Sequence, residues 1–519
     1  MRLSQVLLST GIPACEGVNR EGGVAVAEAA IEERQLLKSL RWYDGFVIAL
    51  CNPGFLIGSL GFSVGALGGW GAMALWGISA TIGLLSNWIY SETAAMFPHQ
   101  SGGISLYAHE GWRRYFSLVG PVATFGYWIG WSVVLSIFGK LIGDLVVSKW
   151  FPGQASHVYF SIGNNHIGLS DSIAIGLIIA VWLFNIFGVK PSLWVGYITG
   201  ILLMVPLVIF MIVPFVNGDY HSANMTWAIG GQWGGLRVAF VWLFLMCWSA
   251  YGIEVCASFA PEYHDTKRDT AIALRTAATF SLLVYVILPM GVTGASGVDF
   301  INKQGAEGQF FTGLLNHLVG SGFAGVVLVF LLLSLVLSMN SSTADGGRAL
   351  YGISRAGMTI KELGVLNRFH VPARAMTVDL VVNIGLVLFV SSNLAILYLS
   401  NIGYVFAHIA AMTGFLLLRK DRPDWPRPIK VAPVWLPIAV VIAASNIVFL
   451  VVGAGSPKLN GYGTWGDFWI GIGVLAISIV LYAFRKVVQD KQPIHFREET
   501  PKLPDDMTAP PTAVGAPAT

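Results

Sequence analysis

Charge is what this chain has least of. Asp, Glu, Lys and Arg make up 11% of its 519 residues, less than half the share usual in soluble domains, and 55% of the chain is hydrophobic. That balance excludes a set of water-soluble domains, and a formal net charge of +3 is too small to point to nucleic acid. Cysteine is scarce too. Cys15, Cys51, Cys247 and Cys256 have no framework spacing, so neither a disulfide scaffold nor a metal site is implied. No period-two pattern recurs, which excludes a membrane β-barrel. A phosphate-cradling Gly-Lys-Ser/Thr loop is also missing, so ATP is not expected to drive the protein. No Ser/His/Asp constellation suggests an enzyme, and no cofactor is expected.

What the chain has instead is long apolar runs. About twelve are long enough to cross a bilayer, which takes roughly 20 helical residues. They begin with Tyr43–Leu67 and Trp70–Phe97 and end with Phe468–Phe484. The sixth is Ala239–Phe259, the eighth Phe323–Ser341, and the ninth and shortest Met376–Val390. The fold class is therefore an all-α integral membrane protein. With the N-terminus placed in the cytoplasm, only Lys149, Arg237, Lys303 and Lys458 of the 31 basic residues fall in outer loops, and Lys140 falls within the third span. Such asymmetry follows the positive-inside rule and puts both termini on the cytoplasmic side of the cell membrane. Residues 1–40 and 488–519 read as disordered cytoplasmic tails. Leu3–Cys15 imitates a lipoprotein signal, but its apolar part is short and interrupted, and Glu16–Leu40 follows as a polar stretch. Ser105–Phe116, with Arg113 and Arg114, reads as a short helix on the cytoplasmic interface.

One stretch organises the rest. Within the first span, Ala49-Leu-Cys-Asn-Pro-Gly-Phe-Leu-Ile-Gly58 holds Asn52-Pro53-Gly54, where continuous helix is not expected. Pro53 has no N–H and steers Asn52 away from the α region, while Gly54 tolerates almost any backbone angle. In the sixth span Trp248-Ser-Ala-Tyr-Gly252-Ile-Glu254 sets a glycine and an ionisable residue at the matching depth. Spans one and six each open a group of five, and paired interruptions of this kind point to an inverted-repeat transporter with its site between them. The helix beginning near Gly54 would turn N–H groups around Phe55 to Gly58, and a positive dipole end, toward a carboxylate. Carbonyls near Leu50–Cys51 and Ser249–Tyr251 would face an ammonium. Asn52, Pro53, Gly54, Phe55, Gly58, Ser249, Ala250, Tyr251, Gly252 and Ile253 are thus the candidate substrate residues.

These features resemble the amino acid–polyamine–organocation superfamily, in its amino acid permease branch. Glu92 followed by Met96-Phe-Pro98-His-Gln-Ser-Gly102-Gly103 is similar to the exit of its second span. Tyr251-Gly252-Ile-Glu254, Ala260-Pro-Glu262 and Lys267-Arg268-Asp269 resemble its sixth span and following loop. Asn340-Ser341, Arg348, Tyr351 and Ser354-Arg355-Ala-Gly357 look like its eighth-span exit, and Arg422-Pro-Asp-Trp-Pro-Arg-Pro428 like the loop after the tenth. The resemblance implies a leucine-transporter-type core over 41–418, made of two inverted five-helix repeats (41–216 and 234–418), with two additional helices over 419–487. It also implies a secondary active transporter of amino acids or related amines working by alternating access. Two departures stand out. The family's first break is a Gly-rich sequence, here Asn52-Pro53-Gly54, and a lysine that some proton-coupled members carry in the fifth span has no counterpart between Ser192 and Val216.

An ionisable group inside a membrane span calls for a partner or a proton. Glu254 is expected either to hold the broken helices in register or to carry a coupling proton. His408 of the tenth span is a further candidate for coupling or gating. Ser341 and Ser342 could help hold sodium, and Tyr127, Trp131 and Tyr404 are candidate cavity-lining aromatics. Glu92 is expected to anchor loop contacts. The expected partners are an amino acid or amine, a proton or sodium ion, and the lipid bilayer; the oligomeric state stays open. A polyamine or simple-amine transporter of the same fold and a non-transporting membrane sensor are the alternatives.

Overall fold

The computed structural model describes residues 36–162, 165–305, 308–390, 393–459 and 463–501. Most of the expected tails lie outside the described residues. Apolar runs in a bilayer must satisfy their own backbone, and the helices that result are α1 (Trp42–Ala49), α2 (Cys51–Met96), α3 (Gly103–Trp112), α4 (Val119–Ser132), α5 (Val134–Trp150), α6 (Leu169–Ile186), α7 (Val189–Val216) and α8 (Trp233–Ala250). They continue as α9 (Val255–Ser258), α10 (Thr266–Ser296), α11 (Val298–Gln304), α12 (Phe310–Val319), α13 (Ser321–Arg355), α14 (Ala373–Phe389), α15 (Asn393–Asp421), α16 (Trp435–Ala454) and α17 (Trp465–Phe484). Between α5 and α6, strands Val158–Ile162 and Asn165–Gly168 form an antiparallel hairpin with Phe160 opposite Ile167.

Ten stretches among the described residues are long and apolar enough to span a membrane, so the chain is a multi-pass membrane protein. The first of these, Trp42–Met96, has 55 residues. At about 1.5 Å per residue it is more than twice the thickness of a hydrocarbon core of about 30 Å. It turns at Gly68, whose φ of 74° and ψ of 169° are not helical. A side chain at this position would strike the Thr226 carbonyl, and Trp70 N–H donates to that same oxygen at 3.0 Å. The turn falls between the ends expected for the first two spans. Ala373–Phe389 has 17 residues, just short of spanning length, so the number twelve remains an expectation.

Helices α4, α5, α8 and α15 are mostly buried. At the rim, α7 exposes Trp194, Ile198, Ile201, Val208 and Ile212 at helical spacing, and α16 exposes Val440, Val441, Val448 and Val451. Apolar faces of this kind suit lipid tails. The end of the bundle rich in Arg and Lys, called the basic end below, is tied together by loops. Glu92 of α2 accepts from Arg419 (2.5 Å), Arg427 (3.1 Å) and the Val431 N–H (2.8 Å), which is loop anchoring as expected. Glu110 of α3 pairs with Arg113 at 2.9 Å and Arg422 at 2.6 Å. Helix α3 does not lie on the surface as an interfacial helix: Gly103 to Gly111 are buried. Gly111 packs directly on the backbone of Gly414 in α15, an approach that only side-chain-free residues allow. Part of the expected C-terminal tail is docked at the same end. Ser117 donates from its N–H to Phe496 O (2.8 Å) and from its hydroxyl to His495 O (2.7 Å), and Arg113 pairs with Glu498 at 2.9 Å.

Candidate functional site

Two interruptions face each other in the middle of the bundle. The first is a single residue, Leu50 (φ −62°, ψ −13°), between α1 and α2. This corrects the expected position, because Asn52, Pro53 and Gly54 lie in the first turn of α2. The physical reason is that Pro tolerates the first turn, where its missing N–H forfeits little. Phe55 and Gly58 consequently sit a turn deeper, inside the helix, and their N–H groups are not the ones at its start. The second interruption is longer than the sequence suggests: α8 ends at Ala250, Tyr251 bends, Gly252–Glu254 forms a 3-10 turn, and α9 follows. The proline-marked span thus has the smaller break and the glycine-marked span the larger.

The two breaks touch. Gly252 is pressed against Asn52 Oδ1 and lies within contact of the Trp131 ring, so that any β-carbon there would collide with the amide. Both polar atoms of the Asn52 side chain are buried without a hydrogen-bond partner. A residue the sequence reading missed, Tyr285 of α10, joins the two backbones. Its hydroxyl lies 2.9 Å from Asn52 O, 2.7 Å from Ser249 O and 2.9 Å from Ser249 Oγ. Ser338 of α13, also missed, donates to Cys51 O at 3.0 Å. A phenol has one proton to give, so this ring of oxygens is rich in acceptors and poor in donors.

Aromatic rings close the side away from the basic end. Phe55 stacks on Trp248 (centroids 4.8 Å apart) and lies 5.4 Å from both Trp131 and Phe138, while Gly58 packs against Phe138. Toward the basic end, the expected residues assemble into a network. Glu254 Oε1 accepts from Tyr404 (2.6 Å) and the Trp131 indole (3.2 Å), with His408 Nε2 at 3.8 Å. His408 Nδ1 is in turn 3.1 Å from the Tyr90 hydroxyl. Tyr127 stands apart from that network in one respect: it donates to Asp345 Oδ1 at 3.1 Å and lies 3.3 Å from Ser258 Oγ.

Other expected residues face elsewhere. The Tyr251 hydroxyl donates to Asn446 of α16 at 2.7 Å, and the Ala250 carbonyl abuts Gly83 of α2. The Ile253 carbonyl accepts from Cys256 Sγ at 3.2 Å. Ser341 lines a separate small cavity with Val47, Asn185, Ser192, Asn340 and Arg348. Ser342 is buried with its hydroxyl unpartnered. Arg348, quoted above with the eighth-span motif, clamps Glu262 of the sixth-span motif through two nitrogens, one of them at 3.0 Å.

An all-helical membrane bundle with paired, touching helix breaks around a buried polar spot is the architecture of a solute transporter. Residues 40–482 match the amino acid permease family, and the chain belongs to that family. Among curated relatives, it is 25% identical over 333 residues to a D-serine/D-alanine/glycine transporter of Escherichia coli O6:H1, a match covering 59% of this chain and 66% of that protein, just under two thirds. It is 23% identical over 462 residues to a general amino acid permease of Saccharomyces cerevisiae, covering 83% of this chain and 77% of the relative. An arginine/ornithine antiporter of Pseudomonas aeruginosa is 24% identical over 317 residues, covering 58% of this chain and 60% of the relative. Family and relatives are transporters, not enzymes.

Proposed function

We propose that this protein is a secondary active transporter that moves amino acids across the cell membrane by alternating access, with its basic end in the cytoplasm. The observation that carries the reading is the contact of the two breaks at Asn52 and Gly252, bridged by Tyr285. The polar chemistry of this spot suits a zwitterion, which would enter as the packing opens. Its ammonium supplies the protons that the Asn52 O, Ser249 O and Ser249 Oγ cluster is short of, and its carboxylate suits the unpartnered Asn52 amide and the first turn of α2. Closed aromatic packing on one side and the Glu254 network on the other give an occluded state. Opening either side in turn would be the transport cycle, driven by protons or by exchange of one solute for another. With Tyr404, Trp131 and His408 around it, Glu254 acts as the residue that holds the sixth-span break in register against α4 and α15.

The acceptor-rich oxygen cluster also favours a second reading, a carrier of simple amines or polyamines, because that cluster needs only an ammonium. Uptake into proteoliposomes separates the two. Accumulation of neutral amino acids, lost in Asn52→Ala, supports the amino acid reading. Uptake of putrescine with no amino acid competing for it would replace that reading with the second one.

A further inference from the structure

Asp345 of α13 is a buried carboxyl to which no cation is directly bonded among the described residues. The expected eighth span ended at Ser341, which would have left Asp345 in a loop; instead the helix runs on to Arg355 and Asp345 is fully buried. Ser338, Ser342 and Asp345 follow one another at spacings of four and three, forming one stripe of α13. That stripe starts at the first break, where Ser338 holds Cys51 O, and reaches Asp345 about 10 Å nearer the basic end. One carboxyl oxygen accepts from Tyr127 at 3.1 Å, and the other has no hydrogen-bond partner. The neighbouring cation does not serve it directly: Arg348 is spent on Glu262 and on the Ala344 carbonyl (2.8 Å).

The remaining groups that face Asp345 do not supply a cation either. From α4 comes the neutral Tyr127, itself stacked on Tyr404 of α15. The sixth-span break and α9 contribute Ser258, Cys256 and a second carboxylate, Glu254, with His408 beyond it. The start of α2 contributes Cys51, and α14 contributes Asp379, packed against adjacent Gly346. A carboxyl so placed, between other acids and inside a membrane, calls for a partner or a proton.

We propose that Asp345 is the site that binds the coupling proton, taking it up while the side away from the basic end is open to water and releasing it when the basic end opens and water reaches the carboxyl. The small cavity lined by Ser341, Ala344 and Arg348 lies on the neighbouring face of the same helix and offers the way out. No bond other than O–H forms or breaks, and the proton comes from, and returns to, bulk water. This assignment rests on the transport reading above, and the tests below separate failure of one from failure of the other.

Infrared spectroscopy of the purified protein reads the proton without any transport. The carbonyl stretch of a protonated carboxylic acid is expected in the wild type at neutral pH and is expected to weaken in Asp345→Asn. In Tyr127→Phe the carboxylate loses its donated hydrogen bond, so that band is expected to titrate roughly one pH unit higher. This second variant serves if Asp345→Asn fails to fold. In proteoliposomes, Asp345→Asn is expected to exchange internal for external substrate but to lose accumulation driven by a proton gradient. Asp345→Glu is expected to recover part of it. A band unchanged in both Asp345→Asn and Tyr127→Phe overturns the assignment. So does proton-driven accumulation that survives in Asp345→Asn. A response to a sodium gradient, lost in Asp345→Asn at constant pH, means that the carboxylate holds a metal ion and equally overturns it. A wild type that shows the band but moves no amino acid sinks the transport reading alone.

Discussion

At Gly252 a single hydrogen atom decides whether the two breaks can meet. Substituting a methyl there drives it into Asn52 Oδ1 and toward the Trp131 ring, both fully packed. Gly252→Ala is therefore expected to abolish uptake in protein that still reaches the membrane, and Asn52→Ala added to it is expected to restore folding stability but not transport. Thermal melts and uptake by both variants check this. Asn52, Gly252, Glu254, His408 and Tyr404 were legible in the sequence because each is polar or helix-breaking where its surroundings are apolar. Tyr285, Ser338 and Asp345 were not. Tyr285 sits in a segment with no break of its own, Ser338 passes for one of many small membrane residues, and Asp345 lay past the point where hydropathy alone would end the span. Only the fold brings them to the breaks. An aspartate four residues beyond an expected span end was the one signal that could have been followed.

Between elements, the lesson concerns where a helix fails. Proline marked the right span, but the interruption moved back to Leu50, because Pro53 is compatible with the opening turn of a helix. Pro53→Ala returns an N–H that can bond the carbonyl of Ala49 and join α1 to α2. Its stability is expected to stay within about 1 kcal/mol of the wild type or to rise, with slower turnover and little change in substrate affinity. A melt together with a KM-against-kcat comparison of uptake tests this. In span six, by contrast, nothing in the composition disclosed that four residues would leave the α-helix. Gly252 alone is common in membrane helices. The tight fit against Asn52 and the Glu254 network, both tertiary, hold the segment open. Helix α3 shows the same limit: its basic end suggested an interface, whereas Gly111 lets it sink against α15.

For the molecule as a whole, hydropathy and the placement of basic residues made the fold class readable, while the ties between distant loops were hidden. Glu110 illustrates such a tie. Burial would raise its carboxyl, but His109, Arg113 and Arg422 outweigh burial and hold it below the usual glutamate range. A depressed carboxyl contributes its stabilisation above the unfolded value and loses it as the pH falls through the folded one. Glu110→Gln is expected to cost about 2 kcal/mol near neutral pH. The gap between its melting temperature and that of the wild type is expected to narrow on acidification below pH ~4. A gap that stays constant with pH would mean that the carboxylate's charge contributes nothing.

The same corner also receives the far end of the chain, since His495 and Phe496 bond to Ser117 while Glu498 reaches Arg113. Anyone appending a fluorescent reporter therefore has two unequal places to cut. Joined after the last residue, it leaves the contacts of His495, Phe496 and Glu498 in place. Joined after Asp490, it costs the segment between α3 and α4 its clasp, and that fusion is expected to melt at a lower temperature although no membrane helix has been touched.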